Sequence, residues 1–182
     1  VIVFLEGING TGKTAYAKAL ANRLGWPTYR TFRKGAGKHD SALIEQLADF
    51  GCPVNSHVDD IYLADFFATF RIDAILERSY PSALAYDTVY DTITRRQSAA
   101  AFKYWLKQLR EFEHLYVWLE ADYETAHARQ SGFKPSKKEY KALVRAYDKA
   151  FHQLPKSKMR ISTQIASIAD GVEAICQRMK IC

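Results

Sequence analysis

In the stretch EGINGTGKT, Glu6 to Thr14, four residues keep the spacing G-x-x-x-x-G-K-[ST]: Gly7, Gly12, Lys13 and Thr14. Each type serves polyphosphate chemistry. Glycines, lacking a Cβ, let backbone N–H groups wrap closely around phosphate oxygens, and a helix start just beyond adds positive potential. Lys13 is placed to reach the β and γ phosphates of ATP, and the Thr14 hydroxyl to ligate Mg²⁺. Asn9, Gly10 and Thr11 complete the expected phosphate-binding loop. A second pair of interest is Glu77-Arg78, in the stretch LERSY. An acid at the C-terminal end of a buried strand beside such a loop is where a metal-organising carboxylate belongs, so Glu77 joins Thr14 as an expected Mg²⁺ ligand. The alternative is that Glu77 and Arg78 form only a salt bridge at a strand end.

These residues need a frame to bring them together. Val1 to Leu5 is a continuous apolar run suited to a strand buried on both faces, and Thr14 to Leu24 has helical spacing closed by Gly25. Further strands are expected at Thr28 to Phe32, Ile72 to Glu77, Leu115 to Leu119 and Met159 to Ser162. Helices are expected at Ser41 to Phe50, from about His57 to Phe70, from near Pro81, from about Arg96 to Phe112, and over Glu124 to Gln130 behind an Asp122 cap. Ser136 and Glu139 form a capping box opening a helix to about His152, and Ile165 to Met179 reads as a closing amphipathic helix. Strands alternating with helices predict a three-layer α/β sandwich: a five-stranded parallel sheet, first strand central, helices on both faces. No repeat or linker interrupts the 182 residues, so one domain is expected, with a lid-like segment around residues 130–138.

Composition narrows the function. Hydrophobic residues make up 48% and aromatics 13%, enough for a substantial core. No apolar run reaches the roughly 18 residues that span a bilayer, and no secretory signal opens the chain, so a soluble cytoplasmic protein without membrane partners is expected. Cys52, Cys176 and Cys182 have neither disulfide nor zinc spacing and read as ordinary thiols. The dinucleotide fingerprint G-x-G-x-x-G is absent, which argues against a nicotinamide enzyme. The net charge of +6 is concentrated: Arg129 to Arg160 holds ten Lys and Arg against Glu139 and Asp148. Such a segment is either a solvated helix face or a surface for polyanions.

The stretches FLEGINGTGKT, LERSYPSALAYD and WLEADYETAHAR, in this order, give the chain a resemblance to the P-loop kinases of the thymidylate kinase and deoxynucleoside kinase group. The resemblance covers most of the chain and implies a nucleoside monophosphate kinase-like fold that uses ATP and Mg²⁺. It implies that Glu77 works near the metal, that Arg78 works at the acceptor or transferred phosphate, and that Arg129 matches a lid arginine. Tyr86 aligns with a tyrosine that lies against the acceptor sugar. Three departures stand out. Asn9 occupies a position where thymidylate kinases usually carry an acid. The stretch TFRKG places Arg33 or Lys34 where the group has a glutamate for the acceptor. The lid offers Lys134, Lys137 and Lys138 instead of arginines, point charges without a bidentate fork.

The acceptor follows from charge. A nucleoside hydroxyl benefits from a carboxylate base, whereas a nucleoside monophosphate needs cations to hold its phosphate. Arg30, Arg33, Lys34 and Lys38 argue against a plain nucleoside. The stretch VDDIYLADFFATF places Asp59 or Asp60 on turns shared with Tyr62 and Phe66, and Asp65 and Asp87 are further candidate bases; the same helix also reads as an aromatic core stripe with solvated acids. Carboxylates beside an extended basic surface suit an acceptor hydroxyl embedded in a polyanion, with aromatics stacking an extruded base. This resembles the phage branch of the group that phosphorylates hydroxymethyluracil within DNA. A free deoxynucleotide or deoxynucleoside kinase is the alternative, and a non-catalytic ATP-binding module the outside class.

Overall fold

The computed structural model describes residues 1–30, 72–90, 95–130, 132 and 134–181. Along the chain these form β1 (Ile2–Glu6), α1 (Lys13–Leu24), β2 (Thr28–Arg30), β3 (Ala74–Glu77), α2 (Tyr80–Tyr90) and α3 (Arg95–Gln108). They continue with β4 (His114–Glu120), α4 (Tyr123–Arg129), α5 (Lys137–Gln153), β5 (Lys158–Ser162) and α6 (Ile168–Met179). The helices expected over 41–50 and 57–70 lie outside the described residues.

All strand pairings are parallel, in the order β2-β3-β1-β4-β5, so β1 is central. Phe4 faces Leu76 on one side and Tyr116 on the other, and the five residues of β1 are all buried. The period of two divides the core into two halves. Ile2, Phe4, Leu76, Tyr116 and Trp118 pack under α2, α3 and α5, where Trp105, Leu143 and Tyr147 meet them. Val3, Leu5, Ile75, Val117 and Leu119 face α1 and α6, against Tyr16, Leu20, Ile175 and the buried side chain of Cys176. With β3 on one flank of β1 and β4 on the other, the C-terminal end of β1 is a topological switch point, where parallel sheets of this kind leave a crevice.

Local chemistry sets the boundaries. Gly25, at φ 70°, ends α1 and donates its N–H to Ala21 O at 2.8 Å. Asp122 accepts from the Thr125 N–H at 2.7 Å to open α4, and Ser136 with Glu139 forms the expected box at α5. Three boundaries differ from expectation. Ser167 accepts from the Asp170 N–H, so α6 starts at Ile168, while Ile165 and Ala166 turn back onto the Ser162 carbonyl. Pairing of β3 begins where the Ala74 N–H meets Val1 O, leaving Ile72 and Asp73 outside the strand. Helix α3 stops at Gln108, because the N–H groups of Arg110 and Glu111 bond carbonyls three residues back. Among the described residues no helix is long and apolar enough to cross a membrane.

His114, the first residue of β4, gives the fold a pH dependence. Its Nδ1–H donates to Phe112 O at 3.0 Å, and Nε2 is buried with no partner among the described groups. Burial pushes the imidazole below its ordinary value, outweighing that bond. The unfolded chain therefore binds a proton more readily than the folded one, and stability rises with pH across that interval. We expect stability to fall as pH drops below about 6.5, by at most about 1.4 kcal/mol per pH unit from this group, and the dependence to flatten in His114→Phe. Denaturant unfolding of both proteins between pH 5 and 8 measures it; parallel profiles would assign the slope to other groups.

Candidate active site

The turn between β1 and α1 is built around glycines that nothing else replaces. Gly10 has φ 83°, and a Cβ there would lie 2.1 Å from Ala126 O in α4. A Cβ on Gly7, at φ 143°, would meet Leu119 O at 2.5 Å. The loop is thus pressed onto the end of β4 and onto α4. Within it the Thr11 hydroxyl bonds Ile8 O at 2.9 Å, and the buried Lys13 Nζ donates to Gly7 O at 2.8 Å and Ile8 O at 2.7 Å. The lysine arches over the loop, as a group does that is set to meet polyphosphate.

Residues far apart in sequence converge here. The Thr14 hydroxyl donates to Glu77 Oε2 at 2.7 Å, bringing the ends of α1 and β3 together as adjacent β1–β3 pairing requires. Two hard oxygen donors beside a phosphate loop fit Mg²⁺, which uses one or two carboxylates and takes its other ligands from phosphates and water. Arg78 follows at φ 74°, a left-handed backbone that costs a non-glycine residue of order 1–3 kcal/mol and persists only when surroundings fix it. Its buried guanidinium donates to Tyr147 OH at 3.2 Å and to Asn9 Oδ1, and lies over the Tyr86 ring at 5.1 Å. Burial works against its charge, but Tyr147, Tyr86 and Glu6 together raise it above its ordinary value. Asn9 also donates its N–H to Tyr86 OH at 3.3 Å, and its carbonyl accepts from Gln130.

Behind the loop lies a buried carboxylate that sequence reasoning passed over. Glu6, the last residue of β1, accepts from Ser79 Oγ at 2.6 Å and from Ser82 Oγ. Burial pushes its carboxyl up, while these two serines and the cations Arg78 and Lys13 pull it down. Tyr147 from α5 reaches Ser82 Oγ at 2.7 Å and Gly7 O at 3.1 Å. The stretch FLEG, an acid closing an apolar strand just before the loop, was the available signal for Glu6; for Tyr147 there was none beyond its place on the core stripe of α5.

Of the expected site residues, Gly7, Asn9, Gly10, Thr11, Gly12, Lys13, Thr14, Glu77, Arg78 and Tyr86 stand together. Asp87 is the next residue of α2, half-buried. Arg129 is exposed at the end of α4 and docks on Thr163, through the hydroxyl at 3.1 Å and the carbonyl at 3.2 Å. The Thr163 methyl lies 4.0 Å from where a Gly12 Cβ would stand, so this arginine is anchored beside the loop's exit into α1. Lys137, grouped with the lid cations, ion-pairs with Glu124 at 2.7 Å and lies over Tyr123. Arg33, Lys34, Asp59, Asp60, Tyr62 and Phe66 lie outside the described residues.

The five-stranded parallel sheet, its central strand and the loop that follows define an α/β protein of nucleotide kinase-like fold. Solved structures share it. YorR from Bacillus subtilis, solved with phosphorylated GDP, matches at 15% identity and TM-score 0.65, covering 100% of this chain and 96% of that one. Deoxyadenosine kinase from M. mycoides with bound dATP matches at 12% and 0.64, covering 99% and 100%. Thymidylate kinase from Candida albicans matches at 13% and 0.60, covering 98% and 90%. No protein-family model and no curated protein sequence matches the chain. At these identities the likeness speaks for the fold.

Proposed function

We propose that the chain is an ATP-dependent phosphotransferase that moves the γ-phosphate to a hydroxyl of a pyrimidine deoxynucleotide unit, with hydroxymethyluracil within DNA as the acceptor. The observation that carries the phosphotransfer reading is the Thr14 to Glu77 bond beside Lys13, which unites loop, metal-ligand set and strand end. The kinases of known structure with this fold support it. Thr14 and Glu77 would hold Mg²⁺, which supplies charge neutralisation on the phosphate oxygens when bound.

In the reaction the acceptor oxygen bonds to the γ-phosphorus as the bond to the β,γ-bridging oxygen breaks, leaving ADP. Loop N–H groups and Lys13 hold the phosphates, and Arg78 faces the charge on the transferred group. The hydroxyl proton passes to a carboxylate, for which Asp59, Asp60 and Asp87 are the candidates.

For a polymeric acceptor the support is the outer face of α5. Lys138, Lys141, Arg145 and Lys149 are all exposed and follow one another at spacings of three, four and four, which sets them in one row along the helix. None of the four pairs with an acid among the described residues, so the row offers four charges to a polyanion.

Transfer of labelled γ-phosphate from ATP, compared among dTMP, thymidine, ordinary DNA and hydroxymethyluracil-containing DNA, tests the proposal. Label is expected in the modified DNA. Label in dTMP or thymidine alone replaces this reading with the free nucleotide or nucleoside kinase, and ATP binding without transfer to any acceptor leaves a binding module.

A further inference from the structure

Resting on the phosphotransfer reading, we infer that Tyr147 is a positioning residue: held by Ser82 and Glu6, it fixes the Arg78 guanidinium beside the phosphate loop and so ties α5 to the reacting end of the site. The direction of the hydrogen bonds carries the inference. Glu6 closes β1 fully buried, and both its oxygens accept serine hydroxyls, one from Ser79 at 2.6 Å and the other from Ser82. Because the Ser82 proton goes to Glu6, its oxygen can only accept from Tyr147; the single Tyr147 proton faces Ser82 Oγ at 2.7 Å and Gly7 O at 3.1 Å, and the nearer of the two acceptors takes it. The Tyr147 oxygen is then left with lone pairs alone, and one of them receives Arg78 Nη1 at 3.2 Å. The relay runs one way, from arginine to tyrosine to serine to carboxylate, and each bond polarises the next.

Arg78 needs such a hold. Its backbone is left-handed without being glycine, and its side chain is buried, so its orientation is fixed by what it touches. Asn9 and the Tyr86 ring supply two contacts, both next to or within the loop. Tyr147 supplies a third, from α5, and the same hydroxyl lies 3.1 Å from Gly7 O, the first carbonyl of the loop, to which Lys13 also donates. Burial pushes the Tyr147 hydroxyl well above its ordinary range, which keeps it neutral and protonated for this arrangement. A phenylalanine would keep the ring beside Trp118 and Tyr86 and remove only the oxygen.

The test is a double-mutant cycle with Tyr147→Phe and Arg78→Ala, on the acceptor that wild type labels. Tyr147→Phe is expected to lower kcat about tenfold with KM for ATP within twofold, and to cost nothing further in the Arg78→Ala background. An equal factor in both backgrounds, or a kcat within twofold of wild type, overturns the inference, because a merely structural residue acts independently of Arg78. Ser82→Ala, which cuts the relay one step further back, stands in if Tyr147→Phe does not fold. A second readout needs no turnover: the Nη resonances of Arg78 in ¹⁵N-arginine-labelled protein, assigned with Arg78→Lys, are expected to be resolved in wild type and averaged in Tyr147→Phe and Ser82→Ala. If wild type labels no acceptor, the phosphotransfer reading falls while these spectra still decide the positioning, with resolved Nη signals in both variants overturning it.

Discussion

Lys13→Ala is expected to lower ATP-dependent turnover by about a hundredfold or more, with the loss in kcat larger than any rise in KM for ATP. Lys13 is 7% exposed and its ammonium is held at 2.8 and 2.7 Å from the carbonyls of Gly7 and Ile8, so its charge is fixed at the loop. In a water-poor site a fixed charge aimed at oxygens where negative charge grows is worth about 3–4 kcal/mol, and each 1.4 kcal/mol is tenfold in rate. Loop N–H groups still bind phosphate without the lysine, which is why binding suffers less than turnover. Arginine is no substitute, since its planar fork does not fit a space shaped for a point charge. Single-turnover transfer from labelled ATP, with ATP affinity measured separately, gives both quantities. Near-normal turnover in Lys13→Ala would sink the assignment of this loop to phosphoryl transfer.

The loop and its partner acid were legible in the sequence because both obey short-range rules. Glycine positions, a lysine and a threonine at a helix start follow from what backbone and phosphate demand, and Glu77 closes an apolar strand. The same holds for the caps at Gly25, Asp122 and Ser136, each decided within a few residues. What stayed hidden depends on contacts between layers. Tyr147 is 140 positions from Gly7, and in sequence it is one more aromatic on a helical core stripe with Tyr140, Leu143 and Phe151. Nothing local marks Arg78 for positive φ, since arginine does not favour it; its N–H is tied to Leu5 O of the neighbouring strand at 2.9 Å while its side chain meets Asn9, Tyr86 and Tyr147. The charge of the Arg129 to Arg160 segment was legible as a sum, but not its division. Lys137 is spent on Glu124 and Arg160 on Glu120 and Asp148, whereas Lys138, Lys141, Arg145 and Lys149 remain as a row.

That row leads to the second large effect: acceptor binding should fall steeply with salt, and reversing the row should remove most of the steepness. Each phosphate neutralised on duplex DNA releases condensed counterions, and log K falls with log salt by about 0.9 per contact. Four contacts from Lys138, Lys141, Arg145 and Lys149 give a slope near −3.6, or between two and three decades of affinity over a fivefold rise in salt. A free mononucleotide carries too few phosphates to approach that value. The quadruple charge reversal to glutamate is therefore expected to weaken DNA binding by at least a hundredfold at low salt and to flatten the slope, while ATP binding changes little. The row faces away from the loop: Tyr147, which touches Gly7 O, stands half a turn round α5 from Lys138. Fluorescence anisotropy of a labelled duplex across a salt series, for wild type and the reversed variant, with ATP binding measured on both, makes the comparison. A shallow slope in wild type, or one that the reversal leaves unchanged, takes the polymer away from this face, and efficient labelling of dTMP alongside it returns the chain to the free nucleotide kinases.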